Sequence, residues 1–306
     1  MVACRGAEPP SAPPEGSRAV SFPSADGVRL AGRLIGEGSV AVVLSHMRPA
    51  DQRSWWSFSE DLADAGYLVL TYDFRGYCPG GVGGCSAGER DLGEIWRDVL
   101  GAIDFVRSRG ARRVVLIGAS MGGIIGSMFA GVDERVKAPV FLVAGGDWKI
   151  LMEKSTLSVW RDAGRNNPQQ MQEALRVMDV VDPVHWVGRI APRPVLFING
   201  DADDVVPVES NKALHNAAGE PKKIVWYKGG HVPPPTDWLT VISEVTNWLN
   251  THLQGKPVAR GWRDYLPRLG SWRELTDWLA SVAPAVAAFF REFSATLYGY
   301  LSPRTR

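Results

Sequence analysis

Cysteine, surplus charge and long apolar runs are all scarce in this sequence, and each scarcity excludes something. The 306 residues include three cysteines, Cys4, Cys78 and Cys85. The pair Cys78 and Cys85 has no second Cys or His pair nearby, which argues against a zinc site. With 34 Lys and Arg against 33 Asp and Glu, the net charge of +1 gives no electrostatic case for nucleic acid or an acidic surface as partner. The longest strongly apolar stretch without a charge, Trp278 to Phe290, is too short to cross a bilayer, so no transmembrane helix is expected. What remains is a chain with 45% hydrophobic residues, enough to bury one large core or two modest ones.

The first 17 residues, MVACRGAEPPSAPPEGS, are rich in Pro, Ala, Ser and Gly and are expected to be a disordered tether. Val2-Ala3-Cys4 resembles the end of a bacterial lipoprotein signal, but without the apolar segment that should precede it. Either the sequence starts inside a longer signal, or it has been trimmed, or the match is chance. Cys78 and Cys85 flank PGGVGG, a loop flexible enough to let them meet. A disulfide there implies an oxidising compartment, whereas two free thiols fit a cytoplasmic one. Export as a lipoprotein or secretion is the expectation carried forward.

Between residues 18 and 253 the hydrophobic pattern alternates between strand and helix. AVSFPSADGVRLAGRLI alternates apolar and polar residues about Asp26-Gly27, a hairpin signal. Buried-strand runs follow at residues 40–46, 67–74, 113–119, 138–145, 193–200 and 222–229, with helical patterns at 54–66, 92–110, 124–131 and 209–219. Such alternation predicts an α/β fold, a mostly parallel sheet wrapped by helices on both faces. Residues 147–190 are too long for a simple crossover and are helical and amphipathic, so a small cap over the site is expected there. Beyond 253, Ser271 and Glu274 form a capping box, and Leu275, Trp278, Leu279, Val282, Val286, Phe290 and Phe293 share one helical face. This 254–306 extension has three possible uses: packing on the main domain, a dimer contact, or lying on a membrane surface.

One stretch carries chemistry. In RRVVLIGASMGGIIGSMFA, Arg112 to Ala130, a β-branched strand stops at Gly118, Ser120 follows, and a helical pattern begins. A serine caught in so tight a turn needs glycine where a Cβ would meet backbone, at Gly118 and Gly122. This is the mechanical content of the G-x-S-x-G nucleophile elbow. An ordinary turn in which Ser120 only caps the helix has the same pentapeptide. An acid and a histidine, each just after a later strand, distinguish the two.

Both follow. NGDADDVVP succeeds the strand RPVLFING, and YKGGHVPP succeeds KKIVWYKG. With these motifs the chain resembles the α/β-hydrolase superfamily, especially its small bacterial serine esterase and dienelactone-hydrolase-like members, over residues 18 to 253. In that family the acid loop reads G-x-x-D-x-x-V-P, which Gly200, Asp203, Val206 and Pro207 match. The resemblance thus implies Asp203 as the acid, with Asp204 the runner-up and Asp201 a turn residue. It implies His231 as the base, and leaves His185, His215 and His252 to packing or surface roles. The order Ser120, Asp203, His231 is the one the elbow requires.

The resemblance also implies two backbone donors for an oxyanion. One is the N–H of Met121, and the other comes from Ser45-His46-Met47-Arg48, where the family has His-Gly-x. Arg48 is the donor by that alignment, but Met47 replaces the glycine and leaves the choice between the two amides open. His46 is then expected to bond loop backbone. In DFRGYC, Asp73, Phe74, Arg75 and Gly76 fit the family's D-x-R-G before Cys78 departs from it. The implied activity is that of a serine hydrolase, a carboxylesterase on short or medium acyl esters, needing no metal and no cofactor. A peptidase, thioesterase or acyltransferase on the same triad, or a non-catalytic binding module, stands beside it. A small ester is the expected partner, with a membrane tether or a homodimer as further options.

Overall fold

The computed structural model describes residues 12–253 except 49, 78–84, 92 and 158–167. Cys4, Cys78 and the 254–306 extension, with its capping box, lie outside the described residues. Eight strands form one sheet in the order β1-β2-β4-β3-β5-β6-β7-β8. The strands are β1 (Arg18–Pro23), β2 (Arg29–Ile35), β3 (Val40–Ser45), β4 (Leu68–Tyr72), β5 (Arg113–Ala119), β6 (Val140–Leu142), β7 (Val195–Gly200) and β8 (Lys222–Tyr227). The hairpin of β1 and β2 turns at Gly27, whose φ of 84° suits glycine. β2 runs antiparallel to β4, and every later pairing is parallel. Ser17, at the end of the expected tether, is fastened to the sheet: its hydroxyl accepts from Arg33 Nε at 2.8 Å.

The helices are α1 (Trp56–Asp64), preceded by a 3₁₀ turn Gln52–Trp55, α2 (Trp96–Ser108), α3 (Met121–Val132), α4 (Trp148–Lys154), α5 (Pro168–Asp179), α6 (Pro183–Trp186), α7 (Val208–Ala217) and α8 (Pro235–His252). They sort by face, because successive strand residues point to opposite sides. Val43, Leu116, Phe141 and Phe197 pack with Ile103 of α2, Ile125 of α3 and Leu214 of α7. Val42, Ile117, Leu142 and Ile198 pack with Leu62 of α1 and with Val241, Val245 and Leu249 of α8. The parallel central strands are thus covered on both faces, which is why they read as continuous apolar runs. Among the described residues no helix is long and apolar enough to cross a membrane.

Two features differ from the sequence pattern. The run at 138–145 makes only the three-residue β6, because Ala138 and Val143 both take φ of +46° and turn the chain away at either end. α8, which no run in the preceding reading marked, supplies much of one core face.

The described parts of the insertion pack against α3 and α7, and their ends are tied together. Asp182, buried, accepts from the backbone N–H of Asp147 at 2.9 Å, Trp148 at 2.7 Å and Val184 at 3.1 Å. Asp182→Ala leaves these donors without a partner, at about 1–3 kcal/mol for each that stays buried. It is expected to lower Tm by several degrees in a thermal melt, and an unchanged Tm would show that α4 and α6 are held by something else.

Candidate active site

β5 runs under α3 and delivers Ser120 at the turn between them. Ser120 has φ 48° and ψ −115°, a conformation sparsely populated for any residue but glycine. Crowding at the turn explains its two glycines. A Cβ on Gly118 would stand 2.3 Å from the Gly122 carbonyl oxygen, and one on Gly122 would stand 2.4 Å from that of Ser45. Gly122→Ala is therefore expected to force α3 and the end of β3 apart. A cost of about 1–3 kcal/mol is typical of overpacking, read as a lower Tm; wild-type stability would mean that the elbow has slack the distances deny.

β7 and β8 are parallel neighbours, so the loops after them lie side by side. Asp201 N–H donates to Tyr227 O at 3.0 Å, and Ala202 N–H to Gly229 O at 2.9 Å. Asp201's carboxylate in turn accepts from Gly229 N–H at 3.0 Å and pairs with Lys228 Nζ at 2.6 Å. These bonds fix Asp203 and His231 relative to each other. His231 Nδ1 is 2.8 Å from Asp203 Oδ2, and His231 Nε2 is 2.9 Å from Ser120 Oγ. Asp203 Oδ1 accepts from the N–H groups of Val205 at 3.0 Å and Val206 at 2.9 Å. The side chains of Asp203 and His231 are 0% and 4% exposed, which shields this chain from water. A carboxylate can only accept, so Nδ1 carries the ring proton and the lone pair of Nε2 faces the serine hydroxyl.

The other candidates lie apart. Asp204 is exposed, and its backbone oxygen accepts from Thr156 N–H at 2.9 Å and Thr156 Oγ1 at 3.1 Å. His215 is buried against Phe197 and Trp226, hydrogen-bonds Asn199 Oδ1 at 3.0 Å, and is pulled by burial to a pKa of about 4. His185 is exposed and pairs with Asp179 at 3.0 Å, and His252 packs at a tilt against Trp248.

His46 organises the loop after β3. Its Nε2 accepts from Phe74 N–H at 3.1 Å, so Nδ1 holds the proton and donates it to Met47 O at 2.9 Å. Burial pulls its pKa to about 4, which keeps the ring neutral and this tautomer fixed. Phe74 and Tyr77 pack on its ring. The neighbouring Asp73 is buried, and burial pushes its carboxyl up to about 7 although it accepts from Gln52 N–H at 2.9 Å and from Gln52 Nε2. No motif in the sequence pointed to Gln52, which braces the start of the 3₁₀ turn. Arg48 is exposed, while Met47 is half-buried and faces inward. Met121 opens α3, where backbone N–H groups have no intrahelical partner, and its sulfur receives Tyr77 OH at 3.8 Å.

Beside His231 lies a cavity of about 50 Å³. His231 and Met47 line it, with Trp55, Leu142, Val143 and Trp238 among the walls. None of the described residues of the 147–190 insertion contributes to its lining. Among the described residues no three His, Cys, Asp or Glu side chains gather as a metal site would require. Cys85 is disulfide-bonded.

Comparison with known proteins agrees with the architecture. Residues 40–177 match the family model described as the alpha/beta hydrolase fold. The uncharacterized protein YfhR of Escherichia coli (strain K12) is 24% identical over 229 residues, 71% of this chain and 74% of its own. Epoxide hydrolase A of Mycobacterium tuberculosis is 38% identical over 105 residues, 33% of this chain and 30% of its own. Among solved structures, an acetyl xylan esterase from Paenibacillus sp. R4 has a TM-score of 0.65 at 21% identity, covering 79% of this chain and 86% of that one. The Pyrococcus furiosus esterase Pf2001 has a TM-score of 0.61 at 17% identity, covering 82% and 100%. The matched segment runs from β3 through the elbow, and the likeness of fold extends over most of the sheet. The chain has the α/β-hydrolase fold, and its residues 40–177 match the model of that family.

Proposed function

We propose that the protein is a serine hydrolase, a carboxylesterase that cleaves short or medium acyl esters through an acyl-enzyme. The observation that carries this reading is the unbroken hydrogen-bond chain from Ser120 Oγ through both nitrogens of His231 to Asp203. As Oγ attacks the ester carbonyl, its proton passes to His231 Nε2, because a serine hydroxyl is a weak nucleophile until a base takes that proton. The imidazolium that forms is stabilised by Asp203, which stays ionised. The oxyanion is held by the N–H of Met121 and by an amide of the loop after β3, that of Arg48 or Met47. Collapse of the intermediate breaks the C–O bond to the alcohol, which takes the proton from Nε2. Water then repeats the sequence on the acyl-enzyme, releasing the acid and restoring Ser120.

A fluorophosphonate probe tests the reading directly. Stoichiometric labelling at Ser120, found by peptide mass spectrometry, is expected. A folded protein that stays unlabelled is a binding module on this fold. Turnover of p-nitrophenyl esters beside anilide, thioester and epoxide substrates separates an esterase from a peptidase, a thioesterase or an epoxide-opening enzyme. The disulfide at Cys85 supports work in an oxidising compartment, with Cys78 as the proposed partner.

A further inference from the structure

The cavity beside His231 has a shape and chemistry that the catalytic residues do not require. Its floor is the end of the sheet: Leu142 of β6 and Val143 just after it, Ile198 of β7, and Ala119 just before the nucleophile. One wall is Ser54 and Trp55 of the 3₁₀ turn, and the opposite wall is Trp238 and Val241 of α8. It thus runs from His231 into the layer between the sheet and helices α1 and α8, on the face away from the insertion. Its polar members are few: His231, Ser54, the indole N–H groups of Trp55 and Trp238, and the Tyr227 hydroxyl, which is already committed to Gly230 O at 2.9 Å. A charged or strongly hydrated group would lose its water there and find few partners in return.

A second observation falls at the same spot. Val143 takes φ of +46°, a genuine outlier for a β-branched side chain, and is held there by its N–H bond to Ile198 O at 2.8 Å. Strain of this kind persists only where the surrounding structure over-determines the backbone, and it clusters at functional sites. Here it ends β6 and puts the valine side chain against the cavity.

We infer that this cavity is the acyl pocket, that it takes a straight acyl chain of about four carbons, and that Val241 and Trp238 set its length. The inference rests on the serine-hydrolase reading. Size follows from volume, since about 10–15 Å³ of such space admits one water. A cavity of about 50 Å³ therefore takes roughly three to five water-sized groups, and a methylene is about that size. Acyl rather than alcohol follows from the order of events. The alcohol leaves in the first step, past His231, and has to clear the site before water enters. A group sunk between the sheet and α8 stays put, as the acyl group must through both steps.

The test is kcat/KM for p-nitrophenyl acetate, butanoate, hexanoate, octanoate and dodecanoate, beside butanoate esters of ethanol, butanol and octanol. Each methylene that enters is expected to raise kcat/KM about fourfold, the equivalent of about 0.8 kcal/mol. Butanoate should then exceed acetate by roughly fifteenfold, with decline from octanoate on and little dependence on the alcohol. Val241→Phe should lower the butanoate-to-acetate ratio about tenfold, and Trp238→Ala should move the optimum to longer chains. Ratios are independent of the fraction of each variant that folds. A flat acyl profile, or one set by the alcohol, from enzyme that a fluorophosphonate still labels at Ser120 overturns the pocket and leaves the serine reading standing. Ratios unmoved in both variants overturn the assignment of Val241 and Trp238. Absence of labelling overturns the reading on which the pocket rests.

Discussion

Ser120→Ala is expected to lower kcat/KM for p-nitrophenyl butanoate by about six powers of ten, the loss seen when the nucleophile of a Ser–His–Asp enzyme on another fold is removed. The reason is geometric as much as chemical. The hydroxyl is the only group of Ser120 aimed at His231, and the backbone bonds that shape the elbow, from Ser120 N–H to Leu142 O and from Ile124 N–H to Ser120 O, do not depend on it. Alanine keeps the Cβ and the same backbone strain. The variant forfeits one hydrogen bond, worth about 0.5–1.5 kcal/mol, so its circular dichroism should match the wild type and its Tm should fall by a few degrees at most. Fluorophosphonate labelling should vanish with activity. Pure variant protein that still turns over the ester would mean that the chemistry runs elsewhere.

Asp203→Asn should cost about four powers of ten, and the loop shows why a change of one atom does so much. Oδ1 already accepts two backbone N–H groups, from Val205 and Val206. An asparagine would therefore keep its oxygen toward those amides and turn its NH₂ toward His231. Facing a donor, Nδ1 must become the acceptor, so the ring proton moves to Nε2 and no base faces Ser120. Asp204→Asn, by contrast, alters an exposed carboxylate that touches none of the three, and should leave kcat/KM within a few-fold of wild type. If Asp204→Asn gave the larger loss, the acid would be Asp204 and the hydrogen-bond geometry at Asp203 would be incidental.

The strands and the elbow were legible because each rests on a local rule. Six apolar runs correspond to β3 to β8, and Gly118 and Gly122 stand where a Cβ meets backbone oxygen. What periodicity does not encode is which face of the sheet a helix covers. Residues 147–190 were long and aromatic enough to suggest a small cap over the site, and their described part packs on α3 and α7. Among the described residues, Trp55 and, from α8, Trp238 and Val241 line the cavity. That helix had a visible signal, apolar residues at Val241, Val245, Trp248 and Leu249 after Pro235 at the first helical position. Its contact with the site was invisible, because it depends on the sheet returning residues more than a hundred positions apart to one place. The shortness of β6 was hidden for another reason: positive φ at Ala138 and Val143 breaks the rule that such turns belong to glycine. Asp182 and Gln52 were unmarked because a buried side chain serving backbone amides has no fixed sequence spacing.

The bonds made by Asp182 have a consequence for how this protein can change over generations. Its carboxylate holds N–H groups 35 and 34 residues before it and another two residues after it. The neck of the insertion is thereby closed whatever occupies the middle. Doubling the length of a closed loop costs only about 0.6 kcal/mol, less than a single buried hydrogen-bond group left unpaired. Any change of length between the two ends has to leave in place the core contacts of Trp148 and Leu151 and the bonds from Ser155 and Thr156 to the backbone oxygens of Val205 and Asp204. Within those anchors the insertion can drift in composition faster than the sheet and the elbow, which packing and strain hold throughout.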